Sequence, residues 1–341
     1  MTASHTDVSI IICSKDRPTD LARAIASIRE SGEAGRDAEV VIVEESDSPR
    51  EIPGVRYIHL ARKDHGFGYS RNAALRAANG ALVVFIDDDC EAERGWVEAL
   101  TEPFRNDPTI LGVAGAVLVK DCGLIGYAEN ILGFPGGGLR YLDGAPWKVV
   151  TTRYLSTCNC AYRREAVLQR GGFLEDARLG GEDSLLAERV TAVGRYVYAP
   201  EAVVIHHHRT TLRGMIRQAF GFGRSHPYLL RRHPVHGLWI DVPGRSMMWA
   251  RSPIRGWVDC ASADKKAVAI LALSTLYHPF IVLLPLYLVW LSMSAARRAR
   301  RRGIRISPAV AGLLAGLLLF KSTALTAGRW FRSTKYGVVC L

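Results

Sequence analysis

The second part of this chain has almost no acid. Residues 201–341 carry 21 Lys and Arg against 4 Asp and Glu, a net charge of +17, whereas the first 200 residues carry −6. Such one-sided charge argues against a cationic partner for that part and points to an anionic one, nucleic acid or acidic lipid. Cysteine pairs at metal or redox spacing are also missing. The seven cysteines, Cys13, Cys90, Cys122, Cys158, Cys160, Cys260 and Cys340, include no Cys-x-x-Cys. Their odd number fits reduced, buried thiols better than a disulfide framework or a zinc site. Glycine is absent from Cys13–Pro18, the loop after the first apolar strand, which argues against a Gly-rich phosphate loop there. No internal repeat is present, so a solenoid is excluded. The N-terminus reads as lacking a secretory leader, and with the free thiols the expected location of the first part is the cytoplasm.

What is present begins with Leu82-Val83-Val84-Phe85-Ile86, an apolar strand that ends in Asp87-Asp88-Asp89. Clustered carboxylates repel one another and are costly to desolvate unless a cation lies among them. A divalent ion with a diphosphate answers that need, because Mg²⁺ and Mn²⁺ take carboxylate and phosphate oxygens together. Upstream, Val8–Ile12, Val40–Val43 and Val55–Leu60 read as further strands, and Arg71–Ala78 as a helix stopped by Asn79-Gly80. Strands alternating with helices predict βαβ units and a mostly parallel sheet. Polar and acidic residues gather at the carboxyl end of each strand, where such sheets bind ligands.

Four segments in order, Lys15-Asp16-Arg17, Glu44-Glu45, Gly66-Phe67-Gly68-Tyr69-Ser70-Arg71-Asn72 and Asp87-Asp88-Asp89, resemble family 2 glycosyltransferases of the GT-A fold, over residues 7–225. The resemblance implies an α/β GT-A catalytic domain that moves a sugar from a nucleotide-diphosphate donor to a hydroxyl, with inversion and a divalent metal. It implies that Cys13, Ser14, Lys15 and Arg17 line the nucleotide, that Glu44 meets the base, that Arg71 faces the diphosphate, and that Asp87 and Asp88 complete the nucleotide site. Asp89 would bind Mn²⁺ or Mg²⁺. UDP is the expected nucleotide; family members usually have Asp where this chain has Glu44, and that departure leaves dTDP and GDP as alternatives. Further on, Tyr154–Tyr162 and Gly171-Gly172-Phe173 resemble the acceptor side, with Asn159, Gly172 and Phe173 as acceptor contacts. Gly180-Gly181-Glu182-Asp183 opens a helix, and the resemblance makes Asp183 the general base with Glu182 beside it. Val203–Ile205 leads into His206-His207-His208. The resemblance implies a metal-binding His after this strand; His206 is the expected ligand and His208 the alternative, since the two share one face of a strand. A nucleotidyltransferase and a catalytically silent membrane scaffold are the competing readings.

Hydrophobic runs decide what the basic part meets. Ala267–Ser292 and Pro308–Ala327 are each near the ~20 residues needed to cross a bilayer, and no nucleic-acid motif accompanies them. The expected partners are therefore anionic membrane lipid, a nucleotide-sugar donor and a glycan or lipid-linked acceptor, and not nucleic acid. Arg297, Arg298, Arg300, Arg301, Arg302 and Arg305 lie between the two runs. A cytoplasmic catalytic domain at the inner membrane then conflicts with the positive-inside rule if the first run crosses once. A break near His278-Pro279, with re-entrant or interfacial attachment, resolves the conflict; packing in a homodimer is another resolution. Leu212–Arg224 reads as a basic amphipathic helix, and Leu124–Val150, centred on Pro135-Gly136-Gly137-Gly138, as a loop. The expected organisation is a catalytic domain at 1–225, a connecting segment at 226–265 and membrane-associated helices at 266–341.

Overall fold

The computed structural model describes residues 7–119, 123–132, 156–176, 180–207, 211–232, 236–242, 245–301 and 304–341. The chain forms two compact units. The first comprises Met1–Asp121 and Gly133–His208, the second Cys122–Leu132 and Arg209–Leu341.

In the first unit the apolar runs become strands β1 (Val8–Lys15), β2 (Glu39–Ser46), β3 (Arg56–Ala61) and β4 (Leu82–Asp87). They pair in parallel in the order β3-β2-β1-β4. The sheet continues through β7 (Asn159–Arg163), β6 (Ile110–Val119) and β8 (Arg195–His206) to β5 (Cys90–Ala92). β7 runs antiparallel to both β4 and β6, and β8 runs parallel to β6. The chain departs from β1 to opposite sides, toward β2 and toward β4, which opens a crevice at the strands' carboxyl ends. Helix α1 (Pro18–Glu30) starts on a proline and buries Leu21, Ala24, Ile25 and Ile28, one face at helical spacing. Helices α2 (Glu33–Asp37), α3 (Phe67–Ala77) and α4 (Trp96–Asn106) follow; α5 (Leu124–Leu132) belongs to the second unit, and α6 (Arg164–Gln169) and α7 (Glu182–Thr191) return to the first. The core beneath the crevice is aromatic, with Phe85 edge-on to Phe173 at 5.3 Å between ring centres.

The second unit contains α8 (Leu212–Arg232), a sheet of order β10-β9-β11-β12 and three further helices. The strands are β9 (Leu238–Val242), β10 (Arg245–Ala250), β11 (Gly256–Asp259) and β12 (Val339–Cys340), and the helices α9 (Ala263–Leu276), α10 (Leu283–Arg301) and α11 (Pro308–Tyr336). Ser307 caps α11 by accepting from the Val310 amide at 3.3 Å, and Gly337 ends it at φ 60°. α8 and α11 cross closely on two glycines. A Cβ on Gly223 would lie 2.0 Å from the Leu325 carbonyl oxygen, and one on Gly328 2.2 Å from that of Phe220. Arg329 is buried nearby, bonded to His226 at 2.9 Å and Asp259 at 3.1 Å, with its guanidinium 4.3 Å from the Trp257 ring centre.

Three expectations change here. The change of unit falls near residue 208 and not at 225, because α8 packs along α11. Residues 226–265 are not a mere connection: they finish α8 and build β9–β11. Leu124–Leu132 is helical and not loop; Ile125, Ala128 and Ile131 recur at one-turn spacing and are buried with Met215, Ala295 and Leu314. Pro135–Gly138 and His208 lie outside the described residues. The run Ala267–Ser292 does break, at Tyr277, which is extended (φ −147°, ψ 103°) and precedes a 3₁₀ turn over His278–Val282. The stretches His278–Arg301 and Pro308–Tyr336 are long and apolar enough to cross a membrane, by length and composition.

Candidate active site

β1 and β4 align so that Cys13 stands opposite Asp87. Burial pushes the Cys13 thiol up to about 12, so it is a neutral lining group and not a nucleophile. Ser14 Oγ donates to Asp88 Oδ2 at 2.7 Å. Arg17, from the loop entering α1, places one nitrogen between two carboxylates: Nη1 is 3.0 Å from Asp88 Oδ1 and 2.9 Å from Asp89 Oδ2. Burial nevertheless raises the Asp88 carboxyl to about 6, against the pull of Arg17 and Ser14. Asp87 is raised too, by burial against the pull of Arg71 and with the charge of Asp89 adding to it. Asp87 and Asp88 thus lack sufficient positive charge among the described residues.

Asp89 also faces β8. Its Oδ1 is 3.4 Å from His206 Nε2, and its carbonyl accepts the His207 amide at 2.8 Å. Asp89, Cys90 and His206 form a group whose ligand atoms all fall within 4.8 Å of one another. The donor chemistry favours Asp89, whose carboxylate suits Mn²⁺ or Mg²⁺, with the His206 imidazole as a nitrogen donor beside it, whereas burial keeps the Cys90 thiol protonated. The neighbouring His207 is turned to Glu91 instead, bonded through Nε2.

The segment Gly66–Asn72 opens α3, and each polar position has a distinct partner. Gly66 enters the helix at φ 90°. Gly68 lets the Leu174 carbonyl approach, since a Cβ would lie 2.1 Å from that oxygen. Asn72 pins the turn ahead of α7: its Oδ1 accepts the Phe173 amide at 2.8 Å, and its Nδ2 donates to the Phe173 carbonyl and to Glu175 Oε1, both at 2.9 Å. Arg71 is buried and points the other way. It pairs with Glu182 and lies 3.5 Å from Asp87, with Phe67 and Phe173 rings 5.2 and 5.8 Å from its guanidinium. Burial raises the Glu182 carboxyl despite Arg71, and its Oε2 has no hydrogen-bond partner among the described residues. Asp183, one residue on, is half-buried in the first turn of α7, and its Oδ1 accepts the Ser184 amide at 2.7 Å.

The outer strands hold the remaining acids. Glu44 is buried and gripped by Arg50, whose Nε donates at 2.9 Å, and by Tyr57 Oη at 2.7 Å. Glu45 takes Lys15 at 2.9 Å and the Asp64 and His65 amides, each at 2.9 Å. Asp16 adopts the left-handed region (φ 56°) and is held there by Arg62 through two bonds of 2.6 Å.

The structure therefore brings Cys13, Ser14, Arg17, Arg71, Asp87, Asp88, Asp89, His206 and Glu182 into one cluster of contacts, with Asp183 adjoining. Lys15 and Glu44 stand on the β2 side, committed to Glu45 and to Arg50 respectively. The acceptor residues are placed differently. Asn159 is buried inside the sheet: Trp96 Nε1 donates to it at 2.8 Å, and its amide nitrogen reaches the Ala116 and Ala202 carbonyls at 2.7 and 2.8 Å. Phe173 is buried against Phe85. Gly172 is left-handed at φ 66°, where a Cβ would meet Asn72 Oδ1 at 2.5 Å. Sequence reasoning missed Asn72, Arg50 and Tyr57 as partners. Asn72 alone carried a signal, as a polar residue one turn after Gly68.

Comparison with known proteins bears on the family likeness and the fold. The family model "Glycosyl transferase family 2" matches residues 9–171. The pre-mycofactocin glycosyltransferase of Mycobacterium tuberculosis is 29% identical over 254 residues, 72% of this chain and 52% of that protein. Succinoglycan biosynthesis protein ExoM of Rhizobium meliloti is 26% identical over 252 residues, 69% of this chain and 77% of its own. The chain thus spans about half the length of the first of these relatives. Among solved structures, the mannosyltransferase PcManGT from Pyrobaculum calidifontis, in complex with GDP-Man and Mn²⁺, superposes with a TM-score of 0.55 at 17% identity, covering 96% of this chain and 87% of that one. This likeness establishes the GT-A fold. Residues 9–171 thus match glycosyl transferase family 2, and the fold around them is the one its solved neighbour shares.

Proposed function

We propose that the protein is an inverting, metal-dependent glycosyltransferase. It would take a sugar from a nucleotide-diphosphate donor to a hydroxyl of a glycan or lipid-linked acceptor. The observation that carries this reading is the carboxylate cluster Asp87–Asp89, in which burial raises Asp87 and Asp88, flanked by Arg17, Arg71 and His206. Asp89 and His206 would hold Mn²⁺ or Mg²⁺. When bound, that ion supplies Lewis-acid stabilisation of the departing diphosphate. Arg71 is a fixed cation already oriented by Glu182 and by two rings, so it can meet developing negative charge without reorganising. Cys13 and Ser14 would line the nucleotide side, and Lys15 and Glu44 would reach the nucleotide only by giving up part of their pairing with Glu45 and Arg50. UDP is the expected nucleotide, with dTDP and GDP as alternatives.

Asp183 is the proposed general base. It is half-exposed, and its Oδ2 makes no hydrogen bond among the described residues. A carboxylate so placed can receive the acceptor proton as the hydroxyl attacks the anomeric carbon from the face opposite the diphosphate. Glu182 acts behind it by holding Arg71. The second unit would attach the protein to the inner membrane, with the catalytic unit on the cytoplasmic side. The deciding experiment is calorimetric titration of UDP, dTDP and GDP, with and without Mn²⁺, into the full-length protein and into Asp89→Ala. Metal-dependent binding of one nucleotide, lost in the variant, is expected. Folded protein that binds none of them would overturn the reading in favour of a silent scaffold.

A further inference from the structure

Helix α8 carries five Arg and no acid, and α11 carries no acid either. Between them lies a cavity of about 560 Å³, inside the roughly 300–1,000 Å³ range of small-ligand sites. Its wall is apolar: Leu212, Ile216 and Phe220 come from successive turns of α8, and Ala324 and Ala327 face them from α11. The small alanines leave the space. Arg213 and Arg217 also line it, one helical turn apart and exposed. Among the described residues neither makes a hydrogen bond or an ion pair. Phe331, exposed and 5.9 Å from Phe220, extends the apolar surface beyond the cavity.

Two unpaired guanidinia beside an open apolar groove are complementary to an amphiphile with an anionic head. A hydrocarbon chain removes the apolar wall from water, and a phosphate satisfies both guanidinia at once. Free phosphate would leave the wall bare, and a zwitterionic lipid would bring its own cation against the arginines. We propose that this cavity holds one anionic phospholipid of the bilayer, with its phosphate between Arg213 and Arg217 and one acyl chain between Phe220 and Ala324. The assignment rests on the membrane attachment proposed above and not on the transferase chemistry.

The test uses full-length protein purified in detergent doped with phosphatidylglycerol or phosphatidylcholine, with retained lipid counted by native mass spectrometry. Wild type should keep one phosphatidylglycerol and no phosphatidylcholine. Arg213→Gln/Arg217→Gln should lose it, and so should Ala324→Trp, which fills the slot and leaves both charges in place. The arginines are exposed, so an unchanged thermal midpoint for the double variant separates loss of the site from loss of the fold. Phosphatidylglycerol retained by either variant, equal retention of the two lipids, or its displacement by an added polyprenyl phosphate overturns the proposal. Flotation with neutral liposomes reads attachment by itself. Wild type that floats but keeps no phosphatidylglycerol fails only at the site, whereas wild type that does not float fails at attachment.

Discussion

Asp183 and Glu182 are adjacent in the chain and differ in environment. Glu182 is buried against Arg71, while Asp183 keeps one oxygen open at the start of α7. Asp183→Asn should therefore leave nucleotide affinity nearly unchanged and lower turnover by at least ~100-fold, the scale of general-base loss. Steady-state rates beside calorimetry check this, and near-normal turnover would place the base elsewhere. Glu45 makes a different statement, about pH. Burial alone would raise its carboxyl, but Lys15 and the His65 and Asp64 amides hold it at about 2 against an ordinary 4.5. A depressed carboxylate contributes stability above its unfolded pKa and loses it as pH falls through the folded one. Glu45→Gln should accordingly lower the thermal midpoint most near neutrality. Its deficit against wild type should narrow as pH falls from 4.5 toward 2; a deficit independent of pH would show that charge at this position does not matter.

At the scale of elements, the crossing of α8 and α11 supplies an internal control. Gly223 meets a backbone carbonyl that cannot step aside, but Gly221, two residues away on the same helix, has open space around its Cβ position. Gly223→Ala should cost about 1–3 kcal/mol through overpacking. Gly221→Ala should be neutral or stabilising by up to about 1 kcal/mol through helix propensity. Thermal unfolding in one detergent compares them, and equal effects would mean the crossing is looser than described. The same contrast of local and distant information explains what could be read from the chain in advance. Strands β1, β2 and β4 were legible because an apolar run and its polar ending lie together in sequence. The Gly66–Asn72 segment was legible for the same reason. Asn159 was not, because Trp96, Ala116 and Ala202 reach it from three remote places. Glu44 could be found as an acid at a strand end, but its clamp could not, since Arg50 lies in a loop and Tyr57 on the next strand. Leu124–Leu132 was obscured by the glycines that follow it.

For the whole molecule the question is how the proposed membrane attachment would be made. Electrostatic attraction alone fails in concentrated salt, where the Debye length shrinks to ~3 Å at 1 M. Inserted helices should therefore resist 1 M salt and yield only to detergent, and release by salt would remove insertion from the account. Sidedness can be read from Cys260, the one exposed cysteine among the described residues. A membrane-impermeant maleimide should label it in inverted vesicles and not in intact spheroplasts; the opposite pattern would reverse the proposed orientation. In the first unit, the guanidinium of Arg17 has a kinetic consequence for the proposed metal site. It already bridges Asp88 and Asp89, so a bare divalent ion would have to compete with a tethered cation for the same oxygens. A diphosphate arriving with the ion offers Arg17 a new anion and makes the exchange favourable. Loading should thus be ordered, with metal and donor entering as one complex and free metal binding weakly until the nucleotide is present.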